Sequence, residues 1–254
     1  MLPSTIDSNG VASARQHLLS IIIDDRVAID AGCLAMSCSE LQRQNIRDIV
    51  LTHTHLDHIA GLPLFIDDLF ASLTEPLRIH APQEMIDILE RDIFNWSIYP
   101  RFSELKNDHG PVVDYRPFEA GTKIDVQHLK IESIAVNHKV DANGYIISDE
   151  NMSVAITGDT AETDQFWSSC NLHSDLNAVL AECAFPDELT GLAKVSDHLT
   201  PSRLKGELEK LRDRKYPVFV INLKPMYRET TLRQLRDLNI PDVHILEVGK
   251  TYEF

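Results

Sequence analysis

Short apolar runs closed by polar or glycine-bearing turns punctuate this chain, and most are too short to be buried helices. Residues 19–24 and 26–30 read as the two strands of a hairpin, followed by the turn Asp30-Ala31-Gly32. The run Ile46-Arg47-Asp48-Ile49-Val50-Leu51 reads as a buried strand that stops at a cluster of polar residues. Apolar positions three and four apart predict a helix over 62–73, with Pro63 tolerated in its first turn. A second helix runs from Pro82 through Phe94, with Met85, Ile86, Ile88, Leu89 and Ile93 as its apolar positions. A strand at 77–80 separates them, and residues 112–136 are rich in strand patterns. The second half alternates in the same way, with strand 153–158, a helix from Thr163, strand 178–183, helix 201–211, strand 218–222, helix 230–238 and strand 244–248. That order suits two sheets with helices on their outer faces, an α/β architecture.

The polar cluster after Leu51 is Thr52-His53-Thr54-His55-Leu56-Asp57-His58, with Gly61 marking the loop beyond. In an extended segment the side chains at i and i+2 point the same way, so His53 and His55 can grip one metal ion. As the chain turns, Asp57 and His58 can face a second ion close by. Neutral imidazole and carboxylate suit zinc, iron or manganese. Solvated loop histidines are the plain alternative, and the density of ligands at the mouth of a strand argues against it.

The pattern His-x-His-x-Asp-His resembles the metallo-β-lactamase superfamily, and the resemblance implies a four-layer αββα sandwich with its ligands on loops along one edge. It also implies that His138, after Ile131-Glu132-Ser133-Ile134-Ala135-Val136, is the third histidine. Asp159, in Thr157-Gly158-Asp159-Thr160, takes the place of an aspartate bridging two metals. The stretches Leu180-Ala181-Glu182-Cys183-Ala184-Phe185-Pro186, Asp197-His198-Leu199-Thr200-Pro201 and Leu223-Lys224-Pro225 look like class II cyclic-nucleotide phosphodiesterases. So do His55-Leu56-Asp57-His58-Ile59-Ala60-Gly61-Leu62 and the ending Gly249-Lys250-Thr251-Tyr252-Glu253-Phe254.

What this implies is hydrolysis of a small phosphodiester, cyclic AMP or cyclic GMP, to a nucleoside monophosphate by a hydroxide held between two divalent ions. Zinc is the expected ion, with iron or manganese as alternatives. Asp57 belongs to the catalytic set as well as to the ligands. His198, at the head of a His-x-Thr motif like that of the related tRNase Z nucleases, would act on the leaving group, with Glu182 orienting its imidazole. Two alternatives stay open for His198: a metal ligand, or a residue leading into a helix that Thr200 caps before Pro201. For Glu182 the alternative is a solvated carboxylate at a strand end. One departure stands out. Where those phosphodiesterases carry a late histidine on the second metal, this chain has Asn222, a weaker and harder ligand that favours manganese, iron or magnesium at the second site. A tRNase Z-like nuclease, another hydrolase of the same fold, and a binding or regulatory relative with weakened catalysis therefore remain as other readings.

Composition narrows the substrate. No Pro/Gly/Ser-rich linker or repeat divides the 254 residues, so residues 1–254 are expected to form a single hydrolase domain, and 43% hydrophobic content supplies a core. A net charge of −15 argues against a protein that grips long nucleic acid through its phosphates. The densest basic stretch, around Lys205 to Lys215, is interleaved with Glu207, Glu209 and Asp213 and reads as a solvated helix face. Two divalent ions against Asp57 and Asp159 would leave a local charge of about +2, so small anions remain suitable substrates. Cys33, Cys38, Cys170 and Cys183 lack metal spacing and read as reduced thiols. Residues 1–7 lack the features of a signal peptide, and no apolar stretch reaches bilayer length. The expected location is cytoplasmic, away from membranes, and a homodimer stays open. His17, His80, His109, His128, His173 and His244 fall outside the ligand pattern, and the aromatic stretch 94–99 reads as core or a lid edge before a base-stacking surface.

Overall fold

In the computed structural model, which describes residues 18–254, the expected hairpin forms: β1 (Ile21–Ile23) runs antiparallel to β2 (Val27–Ile29). His17 and residues 1–7 lie outside the described residues. Asp24 and Asp25, in the three-residue connection, both have positive φ, 50° and 57°, and the Arg26 N–H closes the turn on the Ile23 carbonyl at 3.0 Å. β2 then pairs in parallel with β3 (Asp48–Val50), and β3 with β4 (Leu77–Ala81). β5 (Lys106–Asn107) and β6 (Gly110–Pro111) form a separate small pair, and β7 (Val113–Pro117) joins the far edge of β4. Val27, Ala28, Ile29, Ile49 and Val50 are fully buried, as parallel strands covered on both faces must be.

Helix Leu62–Leu69 accepts Pro63 in its first turn, as expected, and buries Leu62, Phe65, Ile66 and Leu69 at helical spacing. It stops four residues short of the expected end at 73, although Leu73 remains buried. The helix expected from Pro82 begins as Gln83–Ile88 and passes into a π-helical turn, Leu89–Ile93.

A second sheet has the order β14-β13-β12-β11-β10-β9-β8. Its antiparallel part is β8 (Lys123–Val126), β9 (Leu129–Ala135), β10 (Asn143–Ser148) and β11 (Ser153–Ile156). Its parallel part continues from β11 through β12 (Ala178–Glu182) and β13 (Val218–Ile221) to β14 (Val243–Ile245). Helices Asp164–Cys170, Pro201–Leu208 and Arg228–Asp237 lie between successive parallel strands in the chain. The strand-rich stretch 112–136 is therefore divided between the two sheets, and the described chain splits into two compact units between Glu119 and Ala120. Residues Glu247–Thr251 return to the first unit.

One expectation fails inside the second unit. Glu207 is not on a solvated helix face: it is 2% exposed and accepts hydrogen bonds from the Trp167 indole (2.6 Å) and the Thr163 N–H (2.8 Å). Lys210 pairs with its other oxygen at 2.6 Å, so the buried charge is both compensated and hydrogen-bonded. All four cysteines are free thiols, and burial pushes Cys170 up to about 12. Among the described residues no helix is long and apolar enough to cross a membrane.

Candidate metal centre

In the first unit the ligand segment leaves the carboxyl end of β3, and its backbone is fixed from both sides. Leu19 N–H donates to the Asp57 carbonyl (2.8 Å) and Ala31 N–H to the His58 carbonyl (2.7 Å). A Cβ at Gly32 would sit 2.0 Å from that Asp57 carbonyl, and one at Gly61 would sit 2.6 Å from the Ala31 carbonyl, so neither position tolerates a side chain. His55 is extended (φ −64°, ψ 147°) and leads into the short helix Leu56–Ile59, which carries Asp57 and His58.

Asp30 organises this segment. Fully buried at the end of β2, it accepts the Thr52 N–H and the Thr52 hydroxyl, both at 2.7 Å. Its Oδ2 also lies 2.6 Å from His58 Nδ1. A carboxylate on Nδ1 fixes the tautomer that turns Nε2 toward a ligand role. His53 Nε2 faces His55 Nδ1 at 3.1 Å, near the separation of about 3.3 Å that two imidazole nitrogens have on one tetrahedral zinc. His53 and His58 are fully buried, while His55 and Asp57 are half-buried.

The second unit gathers its own polar groups at the carboxyl ends of three adjacent parallel strands, the usual place for a site in such sheets. Asp159 follows β11, Glu182 ends β12 and Asn222 follows β13. His138 comes from the turn after β9, and His198 lies just before helix Pro201–Leu208. His138, Asp159 and His198 each bring a donor atom within 4.8 Å of the others. The His138 Nδ1 lies 3.0 Å from the Asp197 carbonyl, which again directs Nε2 to the ligand role.

Glu182 is fully buried, so the solvated reading of this carboxylate is ruled out. It accepts from the backbone N–H of Thr160 (3.3 Å), Ala184 (2.9 Å) and Leu199 (3.2 Å), and stands 2.8 Å from His198 Nδ1. Burial works against a charged His198, but the hydrogen bond and charge of Glu182, helped by Asp159, raise its pKa above the ordinary value. Asn222 has φ +56°, a conformation asparagine tolerates better than most residues, and its Nδ2 donates to Asp159 at 2.5 Å.

A family model for the beta-lactamase superfamily domain matches residues 26–217. The chain belongs to that superfamily. A probable 3',5'-cyclic-nucleotide phosphodiesterase of Yersinia pestis is 26% identical over 248 residues, covering 84% of this chain and 69% of that protein. Unliganded yeast PDE1 superposes with a TM-score of 0.74 over 97% of this chain and 98% of its own, at 18% identity. The short form of human tRNase Z superposes with a TM-score of 0.63 over 91% and 89%, at 17% identity. The fold is thus the metallo-β-lactamase α/β fold, as the opening motif implies, and the superfamily's relatives here are metal-dependent hydrolases.

The residues present fit divalent cations. Beyond the imidazoles with anchored Nδ1 atoms, the buried Asn222 Oδ1 has no hydrogen-bond partner, a costly arrangement that a cation would relieve. Remaining histidines are held elsewhere: His80 on the buried Asp48 (2.8 Å), His173 on Glu132 (3.1 Å) and His244 on Asp242 (2.8 Å). His109 and His128 are exposed. In the aromatic stretch Phe94 is core, whereas Trp96 is 57% exposed.

Proposed function

We propose that this chain is a metal-dependent phosphodiesterase that hydrolyses small phosphodiesters, 3',5'-cyclic nucleotides first among them, to nucleoside monophosphates. The observation that carries this reading is the similarity to the Yersinia phosphodiesterase over most of the chain. The net charge of −15 supports it by disfavouring long polyanions. His53, His55 and His138 would hold one ion and Asp57, His58 and Asn222 the other, with Asp159 touching both, the assignment that the superfamily's ligand order supports. When bound, two such ions supply a nucleophile at neutral pH and draw charge from the phosphoryl oxygens. Zinc is the expected metal at the first site, with manganese or iron suited to the second.

The chain's own residues do the rest. His198 would protonate the departing ribose oxygen, and Glu182, on its Nδ1, would keep the ring oriented and charged. Asp159 accepts the Asn222 amide and so is held in place before any substrate arrives. Purified protein, given cyclic AMP, cyclic GMP and precursor tRNA under matched metal conditions, should release nucleoside monophosphates from the cyclic substrates. Faster cutting of the tRNA would overturn this reading in favour of a nuclease of the tRNase Z kind.

The Asn222→His variant tests the second site. Imidazole nitrogen suits zinc better than an amide oxygen does, and histidine tolerates the backbone conformation, so zinc should bind more tightly there while manganese gains less. Titration of both proteins with each metal reads this out. Identical affinities would place Asn222 outside the coordination shell.

A further inference from the structure

Behind the ligands of the second unit lies a cation that the proposed chemistry does not use. The Arg203 side chain, on helix Pro201–Leu208, is 11% exposed. Its Nε donates to Glu162 Oε1 at 2.6 Å, its second terminal nitrogen donates to Glu162 Oε2, and its first donates to the His198 carbonyl. Glu162 lies three residues after Asp159, and its own carbonyl accepts the side-chain amide of Asn137, the residue before His138. Ala161 N–H in turn donates to the Asn137 carbonyl at 2.7 Å. The guanidinium and its carboxylate thus tie the Asp159 segment to the His198 segment, and the backbone of Ala161 and Glu162 carries that tie on to the His138 segment.

Two other tethers join pairs of these segments. Glu182 binds the Asp159 and His198 segments through Thr160, Leu199 and the His198 ring. Asp197 joins the His138 and His198 segments through its carbonyl and its 3.1 Å ion pair with Lys139. We propose that Arg203, locked on Glu162, is a positioning residue that sets where the ligands His138 and Asp159 and the proton donor His198 stand relative to one another. The inference rests on the proposed reading of His138 and Asp159 as metal ligands. A two-point guanidinium–carboxylate contact fixes direction as well as distance, and the third bond leaves the His198 carbonyl little freedom. Lysine cannot reproduce that fork.

The test compares wild-type protein with Arg203→Gln, Arg203→Lys, Glu162→Ala and the Arg203→Gln/Glu162→Ala double variant. Zinc affinity is read by competition with a chromophoric chelator, alongside far-UV circular dichroism and melting of the metal-free proteins. Arg203→Gln and Glu162→Ala should each weaken zinc binding by roughly 10- to 100-fold, the usual cost of removing a group behind a metal ligand, with metal-free melting unchanged. Arg203→Lys should recover part of the loss. The double variant should be little worse than Arg203→Gln, because the two side chains act as one strap. Unchanged zinc affinity, or an affinity loss that merely tracks a lower melting temperature in the metal-free protein, overturns the proposal. Should Arg203→Gln fail to fold, Glu162→Ala decides alone, since its side chain is 48% exposed and its removal opens no core. Wild-type protein that binds no zinc would sink the metal reading and the strap together; a zinc-binding wild type with unaltered variants sinks the strap only.

Discussion

Asp159→Ala is expected to give a folded protein that has lost both metal ions and, with them, diesterase activity. Asp159 is 1% exposed, follows β11 and sits between the Asn222 amide at 2.5 Å and His198 Nδ1 at 3.9 Å. Its two oxygens therefore already face different partners, the arrangement a carboxylate needs to serve two cations at once. The loss should exceed the roughly 10- to 100-fold that follows removal of a group behind a ligand, because here the shared ligand itself goes. Removing a buried carboxylate leaves the Asn222 amide without its acceptor, a stability cost of about 1–3 kcal/mol that the fold should survive. His138→Ala provides the contrast, since it should empty mainly the first site. Elemental analysis of protein never exposed to chelator reads both variants. If Asp159→Ala keeps its full metal complement, the bridging role is wrong and the order of the ligands is coincidence.

The sequence made the ligand loops readable because each follows a short apolar run that ends in polar residues. β3 before His53, β11 before Asp159, β12 at Glu182 and β13 before Asn222 all obey that rule, and each strand is buried. Three features escaped it. Asp30 reads locally as a turn residue, and nothing near it in sequence reveals that it holds Thr52 and His58, 22 and 28 residues onward. β10 is masked by Asn143 and Gly144 at its start, residues with poor strand propensity, although six of its residues pair with β9. Glu207 reads as one charge in a mixed run, because burial on the Trp167 indole is a tertiary fact. Helix ends were the other weak point: 62–73 and 201–211 close at Leu69 and Leu208, where apolar positions continue beyond the last helical turn. Leu73 and Leu211 are still buried, so hydrophobic spacing alone cannot distinguish a helix from the turn after it.

His198→Ala separates two roles that the geometry holds close together. A donor atom of His198 lies within 4.8 Å of those of His138 and Asp159, which is what a metal ligand requires. Its Nδ1 is taken by Glu182 at 2.8 Å, which leaves Nε2 to face either an ion or a leaving oxygen, and the superfamily's ligand order, which fills both sites without His198, favours the leaving oxygen. A protonated imidazole beside a departing alkoxide is the better use of that arrangement. The alanine variant should therefore slow turnover by about 100- to 10,000-fold, the range for a lost general acid, with KM little changed and the metal content intact. Glu182→Gln should follow it in direction with a smaller effect, because an amide still meets Nδ1 but no longer holds charge on the ring. Metal counts and steady-state kinetics on the same preparations settle the matter. Loss of one equivalent of metal in proportion to activity would make His198 a ligand, and the proton for the leaving oxygen would then have to come from another group.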